Sequence, residues 1–498
     1  MTVPFTDIDS LYINGKWVRP ASTEPVLNPA TEEVIGHAPV GSVEDCQAAI
    51  AAARDAFDNG PWPRMTFRER AAVVRRMHAI LERMLPDLKN LIVAEAGTTQ
   101  GIAGFTQTVT PLRHMLYGCE LAEAIKPETG PVEINTNLWN PEGPNAIGAI
   151  TVVKEPVGVA ACVTGYNYPF LLNLAKVVPA LLAGCTTVLK PSPYTPYSAL
   201  IFGQVADELG LPPGVLNVIT GGIDVSTMVT SHKGVDMVSF TGSDTVGALI
   251  SAQAAPTLKR VVHELGGKSA YIVRHDADVM TAAATAVGMF TANCGQGCAL
   301  LTRYLVHNSL RAQFVEACKQ MVAHWKVGDT SDPATMMGPL IRESQRAKVE
   351  YFVKSALESG ATLVTGGKRP EYLQKGFYYE PTLFDNVDPK SEIAQNEIFG
   401  PVGVVMGFDT DEEAIRIANE SDFGLAGGII TADPAEGYRM ALRLRTGTVW
   451  LNGGFGSDMS SHAPFGGYKR SGIGKEYGPR WIDEYLNEKV ISFPIGKL

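Results

Sequence analysis

Gly158–Ser192 reads GVAACVTGYNYPFLLNLAKVVPALLAGCTTVLKPS. The opening GVAACV has no polar side chain, as expected of a strand buried on both faces. LLNLAKVVPALLAG then carries its apolar residues at helical spacing and stops at Gly184. TTVLKPS returns to an extended apolar run that ends at a proline. Strand, helix and strand in this compass make one crossover unit, whose hand is right-handed. The alternation continues. YSALIFGQVADELG reads as a helix, GVLNVITGG and DMVSFTGS as strands, and TVGALISAQAA as a helix. The pattern predicts an α/β, doubly wound, Rossmann-like parallel sheet with helices on both faces.

A second alternation begins near Ser269: SAYIV, the small-residue helix TAAATAVGMF, RYLVHN, then the helix AQFVEACKQMVAHW. Upstream, residues 12–36 read as short strands joined by Asn-Gly and Asn-Pro turns. Val43 to about Ile92 reads as two helices. PVEINTNLW and AITVVKEPVGV read as strands, as does the end of WIDEYLNEKVISFPI, which has no partner nearby in sequence. Strands of that kind pair with a distant element or another subunit.

The chain has 498 residues, enough for two or three domains. Its 45% hydrophobic and 19% charged composition is that of a globular protein, and its net charge of −10 argues against a nucleic-acid surface. No apolar run approaches the roughly 18 residues of a membrane helix. MTVPFTDIDS shows neither a basic nor an apolar leader region, so export is not expected. The seven cysteines (Cys46, Cys119, Cys162, Cys185, Cys294, Cys298 and Cys318) are odd in number and scattered, which points to a reducing cytoplasm. Without a CxxC pair or metal-spaced histidines, no metal site is expected.

FTANCGQGCALLTR, Phe290–Arg303, sets Cys298 behind Gly-Gln-Gly, where the backbone is unshielded. Its place beside a helical run suggests a lowered thiol pKa, whereas Cys294 reads as a small core residue. Glu264 ends an apolar strand, a position where α/β sheets place active sites and where burial favours general-base work. Asn167 follows the first strand of the crossover unit, before Pro169 opens a helix, and its amide suits a developing oxyanion. Lys190 stands at the end of the second strand, and Gly242, Ser243 and Gly247 lie on a strand-to-helix turn. Such turns aim N–H groups at phosphate. Glu397 and Phe399 flank a Gly-Pro turn in NEIFGPV.

Taken together, ELGGKS (264–269), GQGC (295–298), EIFGPV (397–402) and PFGGYKRSGIGKE (464–476) resemble the aldehyde dehydrogenase superfamily from about Tyr12 onward. The resemblance implies a NAD cofactor, with NADP possible, and an aldehyde substrate. It makes Cys298 the nucleophile, Asn167 the oxyanion donor, Glu264 the base that activates water, and Lys176 and Glu476 a proton relay. It places Thr164, Tyr166, Lys190, Ser192, Gly242, Ser243, Gly247, Leu265, Glu397 and Phe399 along the cofactor. Two positions depart from the family pattern: Pro193 stands where NAD-preferring members often carry Glu, and Tyr166 where many carry Trp. The tunnel is expected to be lined by Tyr168, Leu172, Ala175, Gly297, Ala299 and a loop containing Phe455. The small Ala175 and Gly297 would widen it for bulky apolar or aromatic aldehydes. Asp458 and His462 on that loop are candidates for a polar tail, more readily read as solvated loop residues.

Three parts are implied: residues 1–130 and 152–263 for the cofactor, 264–470 for catalysis, and 131–151 with 471–498 as a bridging element. Pairing through that element would give a homodimer or homotetramer. Two alternatives are a CoA-acylating semialdehyde dehydrogenase, against which Glu264 speaks, and a non-catalytic protein on the same fold.

Overall fold

The computed structural model describes residues 3–135, 142–454 and 460–497. The stretch Val159–Val163 forms a fully buried strand at the middle of an eight-stranded sheet. From edge to edge this sheet runs Lys16–Val18, Leu11–Ile13, Leu216–Val218, Thr186–Lys190, Val159–Val163, Met237–Thr241, Arg260–Glu264 and Gly472–Ile473. Its five central strands are parallel. The strand order reverses beside Val159–Val163, whose sequence successor lies on one side and Met237–Thr241 on the other. A crevice opens at such a switch point, at the carboxyl ends of the strands. Thr164–Asn167 and Thr241–Ser243 therefore face each other across it.

Helix Pro169–Ala183 is buried along its whole length, which explains its near-absence of polar residues. Glu95, near the end of helix Phe67–Ala96, supports the next helix: its carboxylate accepts the Tyr197 and Ser198 N–H groups, each at 3.0 Å, at the start of Tyr197–Leu209. Those donors have no intrahelical partner of their own.

A second sheet of seven strands runs Thr362–Thr365, Thr382–Asp385, Val402–Phe408, Leu301–His307, Ser269–Val273, Ala426–Ile430 and Thr448–Leu451, parallel except for the first. Only Leu265–Lys268 separates it from the last parallel strand of the first sheet. A third, small sheet pairs Leu486–Lys497 with Ala146–Pro156, giving the orphan C-terminal run its partner.

Two features differ from the sequence reading. The stretch 471–485 is not one piece with the bridging element: Gly472–Ile473 joins the first sheet beside Glu264, and only Leu486 onward joins the small sheet. Residues 100–124, not assigned from the sequence, are helical with a π-turn at Phe105–Val109. The Thr-Gln-Thr run there lacks an amphipathic stripe, and the wide turn carries Gln107 toward Asn167, whose carbonyl accepts its amide at 3.5 Å.

Replacing Glu95 with Ala strands the two helix-start donors in the interior. We expect a loss of about 2 kcal/mol of stability, the typical cost of unsatisfied buried donors, read as a shift in the urea midpoint. No shift would mean that water satisfies these amides.

Candidate active site

One cavity of about 260 Å³ joins the crevice of the first sheet to the loop before Leu301–His307. Glycine-rich and cofactor-side positions (Gly165, Tyr166, Thr241, Gly242, Ser243, Glu397 and Phe399) line one part, and Asn167, Glu264, Cys298 and Glu476 also border it.

The segment Glu264–Lys268 builds the centre because its two glycines let other groups approach. A Cβ on Gly266 would lie 2.4 Å from a Glu397 carboxylate oxygen, and one on Gly267 would lie 2.5 Å from the Cys298 carbonyl. The Gly267 N–H donates to Glu397 Oε1 at 3.0 Å. Glu264, the Cys298 loop and Glu397 thus meet on four residues of backbone.

The nucleophile loop is held by backbone conformation. Asn293, Cys294 and Gly295 are all left-handed, with φ of 48°, 56° and 70°. A Cβ on Gly295 would lie 1.9 Å from the Gly400 carbonyl, so glycine is obligatory there. Gln296 locks the turn, donating to the Asn293 and Pro339 carbonyls while its Oε1 accepts the Ile341 N–H. Asn293 donates to the Asn167 carbonyl at 2.9 Å, and Asn167 Nδ2 donates to the Gln296 carbonyl at 3.0 Å. One of the two Asn167 amide hydrogens is so engaged, which fixes the plane of the amide and leaves the other.

Cys298 is half-buried and precedes a strand rather than a helix. Helix Val279–Thr291 ends before it, so the expected helix-end lowering of its pKa is absent. Burial, with Glu397 and Glu264 nearby, pushes the thiol upward instead. Cys294 is fully buried in the apolar core, as expected.

Glu264 is buried, and neither carboxylate oxygen has a hydrogen-bond partner. Burial raises its pKa well above the usual carboxylate range, and Glu476 adds to this against Lys176 and Lys475. Lys176 Nζ bonds Glu476 Oε1 at 2.6 Å, both side chains being buried, and also reaches Ser239 Oγ at 3.3 Å. Glu476 is held in register by reciprocal 2.7 Å backbone bonds with Phe465. Burial likewise lifts Glu397 to about 7, opposed by the Gly267 N–H and Lys348.

The remaining sequence-predicted residues are placed as follows. The Thr164 hydroxyl turns away to Asn173 at 2.8 Å. Ser192 Oγ accepts the Tyr194 N–H, and Lys190 is buried at its strand end. Gly247 is a packing position: its Cβ would lie 2.7 Å from Leu265, which is buried beneath it. Tyr168, Leu172, Gly297 and Ala299 line the cavity, but Ala175 does not. Ala175 is buried on its helix, where its carbonyl accepts the Trp481 indole N–H at 3.0 Å. Leu300, 2.8 Å from a notional Gly297 Cβ, fills the space that glycine was expected to open. Phe455 and Asp458 lie outside the described residues; His462 stacks on Tyr117, with ring centroids 4.2 Å apart. Among the described residues no cluster of ligands fits a metal ion.

The sequence reading missed Leu171, Gln345, Lys348, Phe465 and Tyr477, all on the cavity wall. Tyr477 follows Glu476 directly, a signal that was available. Gln345 was not recognisable: its amide supports the Ile398 and Phe399 carbonyls at 3.0 and 2.8 Å, holding Phe399 at a φ of 58°.

The aldehyde dehydrogenase family model matches residues 17–491, which include every parallel strand of both large sheets and the whole site. The chain belongs to the aldehyde dehydrogenase family. It is 37% identical to a chloroplastic betaine aldehyde dehydrogenase of Atriplex hortensis, over 98% of this chain and 96% of that one. Betaine aldehyde dehydrogenase of Staphylococcus aureus in complex with NAD+ superposes with a TM-score of 0.93 at 36% identity, covering 97% of this chain and 94% of that one. A variant of aldehyde dehydrogenase C from Pseudomonas syringae, in complex with NAD+ and octanal, has a TM-score of 0.90 at 37% identity, covering 98% and 97%. The chain has the aldehyde dehydrogenase fold over nearly its whole length.

The burial of Glu264 has a stability consequence. Its folded pKa lies above the unfolded one, so its neutral form is favoured in the fold. That stability is complete below the ordinary carboxylate value of 4.5 and is lost as pH rises toward the folded pKa. Glu264→Gln escapes the penalty. It should melt higher than the parent at pH 8, with the gap closing below about pH 4.5 in calorimetry. A gap independent of pH would mean that Glu264 ionises freely in the fold.

Proposed function

We propose that the chain oxidises an aldehyde to its carboxylic acid with NAD+, through a covalent adduct on Cys298 and with water as the final acceptor. The observation that carries this is the sharing of one cavity by a half-buried thiol, a buried carboxylate without partners, and an oriented amide. The bound dinucleotide would supply the hydride acceptor. Tyr166, Gly242, Ser243, Glu397 and Phe399 would hold it, a wall of small and backbone-exposing residues backed by one carboxylate.

The thiol proton passes to the Glu264 carboxylate as Sγ attacks the carbonyl carbon, and Glu264 hands it on to the Lys176–Glu476 pair before it acts again. The Asn167 amide and the Cys298 N–H receive the oxyanion, a contribution of about 3 kcal/mol for one such donor. Loss of hydride from the carbon then leaves a thioester. Glu264, with a raised pKa, takes a proton from water as the water attacks that thioester; the thiol leaves and the acid departs. Lys176 and Glu476 carry the proton onward behind the base.

The substrate we infer is uncharged and apolar-bodied, aromatic or branched. The support is the wall around Cys298: Tyr168, Leu171, Leu172, Leu300, Phe465 and Tyr477. The octanal complex of the Pseudomonas syringae neighbour is consistent with such a lining. The betaine relatives favour a second reading, in which the Tyr168, Phe465 and Tyr477 rings cage a cationic ammonium group. Assembly as a dimer or tetramer through the small sheet belongs to the same proposal, supported by the exposed Val490, Ile491, Phe493 and Ile495 on its edge strand.

Reduced-nicotinamide absorbance with an aldehyde panel, without CoA, tests the reading. Bulky neutral aldehydes should exceed acetaldehyde by about tenfold in kcat/KM, as burial of two or more extra methylenes implies. Preference for betaine aldehyde would establish the second reading instead. Glu264→Gln should give a single burst and a protein carrying an acyl group on Cys298 by mass spectrometry. Steady turnover of that variant, or turnover only with CoA, would overturn the role of Glu264.

A further inference from the structure

Arg342 stands just before helix Glu343–Glu358, which contributes Gln345 and Lys348 to the cavity. Its guanidinium lies 4.1 Å from the ring centroid of Tyr194. Tyr194 belongs to the other large sheet's side of the cleft, in the turn that follows Thr186–Lys190. The Tyr194 ring meets Tyr166 edge-on at 6.1 Å, and Tyr166 meets Phe399 edge-on at 6.0 Å. A row of rings so leads from Arg342 to the reacting end of the cavity.

Among the described residues no carboxylate pairs with Arg342. Its neighbour Glu343 is engaged by Arg346 and Arg369. Stacking on a ring occupies the face of a guanidinium and leaves its N–H edge free and oriented, a geometry suited to bidentate phosphate. In a doubly wound sheet the end of the second strand meets the adenosine ribose. An acid there bonds the 2′-hydroxyl, and a nearby arginine accommodates a 2′-phosphate. Here the second strand ends in KPSPYTP, and no acid occurs between Lys190 and Asp207.

We propose that Arg342 is a cofactor-specificity residue that binds the phosphate on the adenosine ribose, so that the protein takes NADP+ at least as well as NAD+. The inference rests on the dinucleotide reading of the cleft. It gives the guanidinium a ligand anion in place of the missing carboxylate, and it assigns Tyr194 the task of holding the guanidinium in plane.

Calorimetric titration of the full-length protein, without aldehyde, tests this with NAD+, NADP+ and adenosine 2′,5′-bisphosphate. The parent should bind NADP+ no more weakly than NAD+, and should bind the bisphosphate. Arg342→Ala should raise the ratio of the NADP+ to the NAD+ Kd by about tenfold, the scale of one lost charge-assisted contact. Arg342→Lys should recover part of that ratio, and thermal melting reports whether each variant is folded. Binding of NAD+ without NADP+ would overturn the inference and leave the cofactor reading standing. Binding of neither would remove both. Equal losses for both dinucleotides would place Arg342 on the shared pyrophosphate and overturn its role in specificity.

Discussion

The contact on which the site depends is the approach of Glu397 and the Cys298 carbonyl to the bare backbone of Gly266 and Gly267. The same short segment joins the last strand of one sheet to a central strand of the other. Two sheets, each with its own core, are therefore registered at the point where Cys298, Glu264 and Glu397 meet. A side chain at either glycine would push away the Glu397 carboxylate or the Cys298 backbone. The pleat that buries Val262 also sets Glu264 at the end of its strand, so the base is placed by the sheet and not by a flexible loop.

Burial organises the chemistry as well as the geometry. Glu264 has no partner for either oxygen, and Cys298 sits near two carboxylates. Both arrangements disfavour charge and store proton affinity in the resting site. A buried ion pair, Lys176–Glu476, lies beside the site. A pair of this kind is seldom a net source of stability. Its position behind the base gives it a different use, as a place to which a proton can move.

Strain is concentrated where precision is needed. Three successive left-handed residues shape the nucleophile turn, and Phe399 is held left-handed by Gln345. Such conformations persist only when surrounding bonds over-determine them. Gln296 provides those bonds on one side, reaching Asn293, Pro339 and Ile341, and helix Glu343–Glu358 provides them on the other.

The sequence by itself determined the alternation of buried strands and helices, because strands covered on both faces are largely apolar and two of the crossover helices stop at Gly184 and Gly210. It also singled out Cys298, Glu264, Asn167 and Glu397 as candidates, and the structure brings the four to one cavity. Tertiary structure alone decided the electrostatics and the walls. The thiol pKa rises because burial disfavours the thiolate and because Glu397 and Glu264 converge on it from distant parts of the chain. Gly297 lines the cavity but has Leu300 packed against it, and Ala175 is buried on its helix, off the cavity wall. Gln345, Tyr477 and Arg342 acquire their positions only when the two sheets close on each other. Local sequence fixes which residues are small, polar or apolar; what stands beside them depends on contacts between residues more than a hundred positions apart.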